Sequence, residues 1–357
     1  MTIKDIAIIR LASQQLAATK FKTAQEHAGW MGAIQAQDYA MSKWALGIRL
    51  PNSSDERIET AINKGEILRT HVMRPTWHLV SAENIYWMLE LTAPRILPIL
   101  NSRNKNLELS EAIYQKSNKL IEKALANEKQ LSREELMVFL QKAKIVTDDI
   151  RASHLMMRAE LEGIVCSGEV LNKTQTYALL SNRIPKTKAL TKEKALAKLA
   201  YIYFTSHFPA TVQDFIWWSG LSVKDGKAAL EMIQKDLISE KISSETYWFT
   251  NSFSLPQKVD PSVYLLPAFD EYIISYKDRS ACLSTENLRK ALTNNGIFKP
   301  VILVNGQAAG IWKRTLKNDK VVIETEFFKP LPKSILPLFE KTTVDYGKFL
   351  NKKIEIK

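Results

Sequence analysis

One pattern recurs three times along the chain and limits its architecture more than any other feature: short helical runs followed by a hairpin-like segment ending in apolar or aromatic residues. In the first occurrence, helical periodicity runs over 6–16, 24–35 and 55–64 and gives way to alternation over 67–80, where Pro75 marks a short connection between two edge strands. In the second, Ser132-Arg133-Glu134-Glu135 reads as a capping box, with Ser132 as N-cap and Glu135 reaching back. A helix over 149–162 then stops at Gly163, and 164–170 with 174–180 supply the hairpin. The third has helical runs at 192–204, 211–219 and 223–235, closed by 237–241 and 246–249.

Three helices and a β-hairpin make the winged-helix unit, a helix-turn-helix variant whose second helix enters a DNA groove while the wing touches the backbone. The same unit also serves as a protein–protein module. After Pro261 the pattern turns to strands, at 263–266 and 301–304, with Asn305-Gly306 as a hairpin turn, a return through 308–314, and further strand over 321–328. A last helix near 333–339 precedes a strand at 353–356. A chain of 357 residues exceeds one ordinary core. The expected fold class is therefore α+β, mainly α: three tandem winged-helix units (1–82, 83–185 and 186–260) with a C-terminal mixed α+β domain (261–357).

Composition matters chiefly through charge. The formal net charge is +12. Such a surplus favours a polyanionic partner, nucleic acid first, with solubility as the plainer alternative. Hydrophobic content of 45% and charged content of 25% suit a soluble globular protein, and no apolar run is long enough for a membrane span. The N-terminal run carries Arg10, Gln14 and Gln15 and reads as an amphipathic helix, not a signal segment. Cys166 and Cys282 form no CxxC or Cys/His spacing, and His27, His154 and His207 are scattered. A reducing cytoplasm, no metal and no cofactor are expected.

Ile34-Gln35-Ala36-Gln37-Asp38 places two amides between apolar-periodic runs. Amides flanking one small apolar residue suit holding a water or polar ligand; a solvated helix face is the bland alternative.

Several segments, in one order, resemble those of the bacterial tandem winged-helix DNA-binding proteins that include the AlkZ-type DNA glycosylases. They are Gly32 to Asp38, Arg74-Pro75-Thr76-Trp77-His78-Leu79-Val80, Asp214 to Leu221, Leu265 to Tyr272 on to Asp278-Arg279, and Val304-Asn305-Gly306 with Gly310 to Arg314. The resemblance implies excision of N7-alkylated purines, including those tethered in interstrand crosslinks, by a Gln-x-Gln motif that falls on Gln35 and Gln37. A sister branch has an acid at the second position; this chain keeps both amides. Neutral glutamine is no general base, but a purine alkylated at N7 leaves without protonation. Orienting a water and facing a dipole toward the developing sugar cation then suffice.

That reading sets a geometric condition. Residues two apart on a straight helix point to different sides, so the helix must end or distort at the motif. Asp38 as N-cap of a helix over 39–48 predicts that end, although its charge beside the amides also makes it a supporting candidate. His78, near Arg69 and Arg74, either reaches a phosphate or the lesion strand or is a hydrogen-bonded strand residue. Lys43, Lys313 and Arg314 complete the DNA-binding candidates, and the 305–306 hairpin either probes a groove or simply forms sheet. Trp217 and Trp218 suit core packing over base stacking, and Asp270, Glu271, Asp278 and Arg279 suit a buried ion-pair network. The expected partner is alkylated double-stranded DNA, bound by a cytoplasmic, nucleoid-associated monomer without membrane contact. A non-catalytic winged-helix DNA-binding protein or regulator is the alternative, and an interaction scaffold on the same fold a third.

Overall fold

Capping boxes at Thr2, Thr23, Ser132 and Thr211 start the helices Ile3–Ser13, Ala24–Met31, Arg133–Lys142 and Val212–Ser219. In each, the side-chain oxygen accepts a free N–H of the first turn while the acid three residues on accepts the cap's own N–H. The computed structural model describes residues 2–251 and 260–357. The chain divides into two compact units, Met1–Ile58 with Leu196–Lys357, and Glu59–Ala195.

In the Glu59–Ala195 unit, the hairpin Ile67–His71/Trp77–Ser81 is antiparallel, with His71 opposite Trp77 and Thr70 opposite His78. Further on come the helix Glu111–Asn127, the strand Leu131–Ser132, the helices Arg133–Lys142 and Asp149–Leu161, and the strands Val165–Ser167 and Thr176–Leu179. Thr176–Leu179 lies between the other two strands in an antiparallel sheet. Leu136, Leu140, Leu155, Met156, Ala159 and Val165 form the heart of the core beneath it. The helix Ile85–Ile99, absent from the sequence reading, runs through Pro94 and Pro98, and such residues ordinarily signal a break.

Further along the chain, three helices again precede a hairpin. The helices Lys192–Ser206, Val212–Ser219 and Val223–Ile233 precede the hairpin Leu237–Ile242/Glu245–Thr250, and Ala210 bridges to Trp248 on its second strand. A five-stranded sheet follows in the order Lys353–Ile356, Lys320–Phe327, Gln307–Leu316, Val301–Val304, Val263–Leu266, antiparallel except for its first pair. Asn305 and Gly306, with φ of 51° and 77°, make the tight turn expected of that dipeptide. The final helix is longer than its periodicity suggests, Leu336–Leu350: Pro337 is tolerated in its first turn, and it ends at Asn351 in the left-handed region.

The helix Tyr39–Gly47 docks on this sheet. Trp44 Nε1 donates to the Leu265 carbonyl at 2.7 Å, and its ring meets Tyr346 and Phe349 at 4.9 and 5.0 Å. Gly47 is packed so closely on Phe349 that a Cβ there would collide with the ring. The segment before this helix, which carries the two amides, is thus anchored from its C-terminal side.

Candidate active site

The helix expected over 24–35 ends four residues early, at Met31. Gly32 has φ of 78°, and a Cβ there would lie 2.7 Å from Ile202 Cγ2 and 3.2 Å from Trp218, so both conformation and space require glycine. The chain then extends as the short strand Ile34–Gln35 and enters the helix Tyr39–Gly47 through Asp38, whose side chain accepts the Met41 N–H at 3.0 Å. The motif is therefore a connection between helices. Ile34 and Ala36 are buried, Gln35 is half-buried, and Gln37 and Asp38 are exposed. The two glutamines are thus less buried than the apolar residues Ile34 and Ala36 that alternate with them.

Gln35 Oε1 is buried and has no hydrogen-bond partner among the described residues. Its backbone N–H donates to Glu271 Oε1 at 2.8 Å. Behind this contact lies a buried polar network. Arg49 donates to both oxygens of Asp270, at 2.8 and 2.7 Å, and to the Gln14 side-chain oxygen at 3.0 Å. Gln14 Nε2 in turn reaches Tyr276 Oη at 3.0 Å and the Glu271 carbonyl at 3.3 Å. Asp278 instead caps Ser280, and Arg279 donates to the Ile273 carbonyl with its guanidinium 5.3 Å from the Trp217 ring. Trp218 is buried in the core, whereas Trp217 is 45% exposed.

The basic candidates separate sharply. Lys43 is buried and paired with Asp55 at 2.6 Å, so its charge is turned inward. Arg314 donates to Tyr346 Oη at 2.6 Å and lies 3.9 Å from Asp38, so it buttresses the helix entrance. Desolvation pushes the Tyr346 phenol up to about 12, against the opposing pull of the Arg314 charge. Lys313 is on the surface, paired with Glu324 at 2.9 Å.

In the Glu59–Ala195 unit, Arg69 Nη1 donates to Gln175 Oε1 at 2.8 Å while its guanidinium lies 4.2 Å over the Trp77 ring. His78 is fully buried. Its Nδ1 lies 2.9 Å from the Thr76 carbonyl, which only accepts, so Nδ1 carries the proton and Nε2 faces Arg74 at 3.5 Å. Burial, and then the Arg74 charge, hold its pKa well below the ordinary value. Of the two readings of His78, the geometry supplies the hydrogen-bonded strand residue. Sequence reasoning missed the roles of Arg49 and Gln14, whose only signal was a charge and an amide in the turns that follow two helices.

Residues 28–349, most of the chain, match the family described as DNA glycosylase AlkZ-like. The chain belongs to the AlkZ-like DNA glycosylase family. Membership implies a DNA glycosylase, a hydrolase acting on DNA, as the motifs from Gly32 to Arg314 led us to expect. The Streptomyces sahachiroi DNA glycosylase AlkZ has a similar structure, with a TM-score of 0.80 over 100% of both chains at 17% identity, a likeness of fold. No curated protein sequence matches this family member. Among its described residues no group of three or more His, Cys, Asp or Glu is arranged to hold a metal ion, and no helix is long and apolar enough to cross a membrane.

Proposed function

We propose that this chain excises N7-alkylated purines from double-stranded DNA, with Gln35 and Gln37 holding the attacking water. The observation that carries this is the buried Gln35 Oε1, without a hydrogen-bond partner among the described residues, beside the exposed Gln37. A buried acceptor left unsatisfied costs about 1–3 kcal/mol and calls for a task that justifies it. Here the task is to accept a hydrogen bond from water. The water oxygen bonds to C1′ as the C1′–N9 bond breaks, and that electron pair neutralises the cationic purine. The proton lost from the water goes to solvent, because an amide carbonyl orients water without taking its proton. The carbonyl dipoles face the sugar as it becomes cationic, an electrostatic contribution strengthened by partial burial. Asp38, engaged as a helix cap, supports the entrance and is not the base.

Three stretches of helices closed by a hairpin, spanning 1–82, 83–185 and 186–260, are read as winged-helix units ahead of the 261–357 domain. Two of them share the helix, strand, helix, helix, hairpin order seen at Glu111–Leu179. In this reading the protein acts on duplex DNA as a cytoplasmic, nucleoid-associated monomer, with Arg69, Arg74 and Lys313 meeting phosphates and Lys43 excluded by its inward pairing. The test is the product. Incubation with methylated duplex should yield free N7-methylguanine and an intact abasic strand that breaks only on later alkali treatment. DNA recovered with its N7-methylguanine complete would overturn the proposal.

A further inference from the structure

The strand carrying Gln35 is only Ile34–Gln35 long and follows closely on Gly32, so local structure alone does little to fix it. One hydrogen bond that holds it comes from far along the chain. Glu271, 1% exposed, accepts the Gln35 N–H at 2.8 Å through Oε1, and its Oε2 accepts from Ser275 Oγ. The Glu271 carbonyl is engaged by Gln14, whose own oxygen is taken by Arg49. Glu271 is thus braced at both its backbone and its side chain.

The approach to Glu271 is itself strained. Phe269 adopts φ of 58° between the strand Val263–Leu266 and the helix Glu271–Ile274. A non-glycine residue enters this region at a steric cost and stays there only where its surroundings over-determine it. The elbow delivers two adjacent buried carboxylates to different partners. Asp270 goes to Arg49, which compensates its charge; Glu271 goes to the Gln35 backbone amide of the Gln-x-Gln segment and to Ser275 Oγ. Burying a carboxylate is expensive, and the contact it makes here is a charge-assisted hydrogen bond, shorter and stronger than a neutral one.

We infer that Glu271 is a positioning residue for Gln35: its carboxylate clamps the Gln35 N–H and so fixes where the Gln35 carbonyl holds the water. This rests on the function proposed above for Gln35. Glu271 acts through another residue and makes no contact with the reacting atoms itself.

The experiment pairs two readouts on the full chain, hydrogen exchange at the Gln35 amide and single-turnover release of N7-methylguanine from methylated duplex. Glu271→Ala should abolish Gln35 protection and slow release about 100-fold, the scale of a misplacement near 1 Å, with duplex affinity unchanged. Glu271→Gln keeps an acceptor oxygen in place. It should retain protection and stay within about tenfold of wild type, the neutral bond being weaker. If Glu271→Ala does not fold, Ser275→Ala, which frees only Oε2, should lower protection and rate together. Unchanged Gln35 protection in the alanine variants overturns the clamp. So does a glutamine variant that protects Gln35 fully yet is as slow as Glu271→Ala, since charge and not position would then govern. Wild-type protein that releases no base, with Gln35 protection still following residue 271, would overturn the glycosylase reading while leaving the clamp in place.

Discussion

Arg49 grips Asp270 with two nitrogens at 2.8 and 2.7 Å, and both residues are at most 2% exposed. A fork-to-fork pair of this kind is tolerable in the interior only because each charge has its partner. Removing one side strands the other. Arg49→Met or Asp270→Leu alone should lower urea-unfolding stability by about 3–5 kcal/mol, and the double substitution should recover much of that loss. Additive losses in the double variant would show that the two residues are not coupled.

Gly32→Ala should be severe for one methyl group. It would place a Cβ 2.7 Å from Ile202 Cγ2 at φ of 78°. The positive φ alone costs about 1 kcal/mol, with the clash added to it. Base release should fall further than stability does, because the displaced chain is the one leading into Gln35. Melting temperature and single-turnover rate, measured together, check this.

His27 is fully buried, and neither ring nitrogen has a hydrogen-bond partner among the described residues. Burial, with a smaller contribution from the Arg49 charge, holds its pKa well below the ordinary value. His78 and His207 are lowered in the same way. The unfolded chain therefore binds protons below about pH 6.5 that the folded chain refuses. Each such histidine should remove about 1.4 kcal/mol of stability per pH unit as pH falls through that window, and nothing above it. Denaturation midpoints from pH 7.5 to 5.5 should show the fall, and His27→Phe should make it shallower.

Lys43 and Lys313 should behave oppositely. Lys43 spends its charge on Asp55 at 2.6 Å, so Lys43→Met should lower stability and leave the salt dependence of duplex binding untouched. Lys313 is exposed, and if it neutralises one phosphate its loss should reduce the slope of log affinity against log salt by about 0.9. Binding isotherms at several salt concentrations separate the two.

Local chemistry made much of this fold legible. The Ser132 box, the Asp38 cap and the Asn305-Gly306 turn each act within a few residues, and each forms as its sequence predicts. Long-range chemistry was not legible. Arg49 meets Asp270, and Gln35 meets Glu271, across more than 200 residues of chain, and no periodicity records such pairings. The end of the helix at Met31 was hidden for the same reason, because Ile202 and Trp218 are what leave room only for Gly32. Lys43, named from its charge as a DNA-binding candidate, is buried against Asp55, a pairing that no motif in the sequence records.

In the proposed mechanism two neutral amides suffice once the leaving base is already charged. Single-turnover release of N7-methylguanine from methylated duplex, by wild type and by the double variant Gln35→Ala, Gln37→Ala, tests it most directly. Wild type should release the base rapidly and the variant at least about 100-fold more slowly, with equal duplex affinity for both. Release at the same rate by both proteins would contradict it.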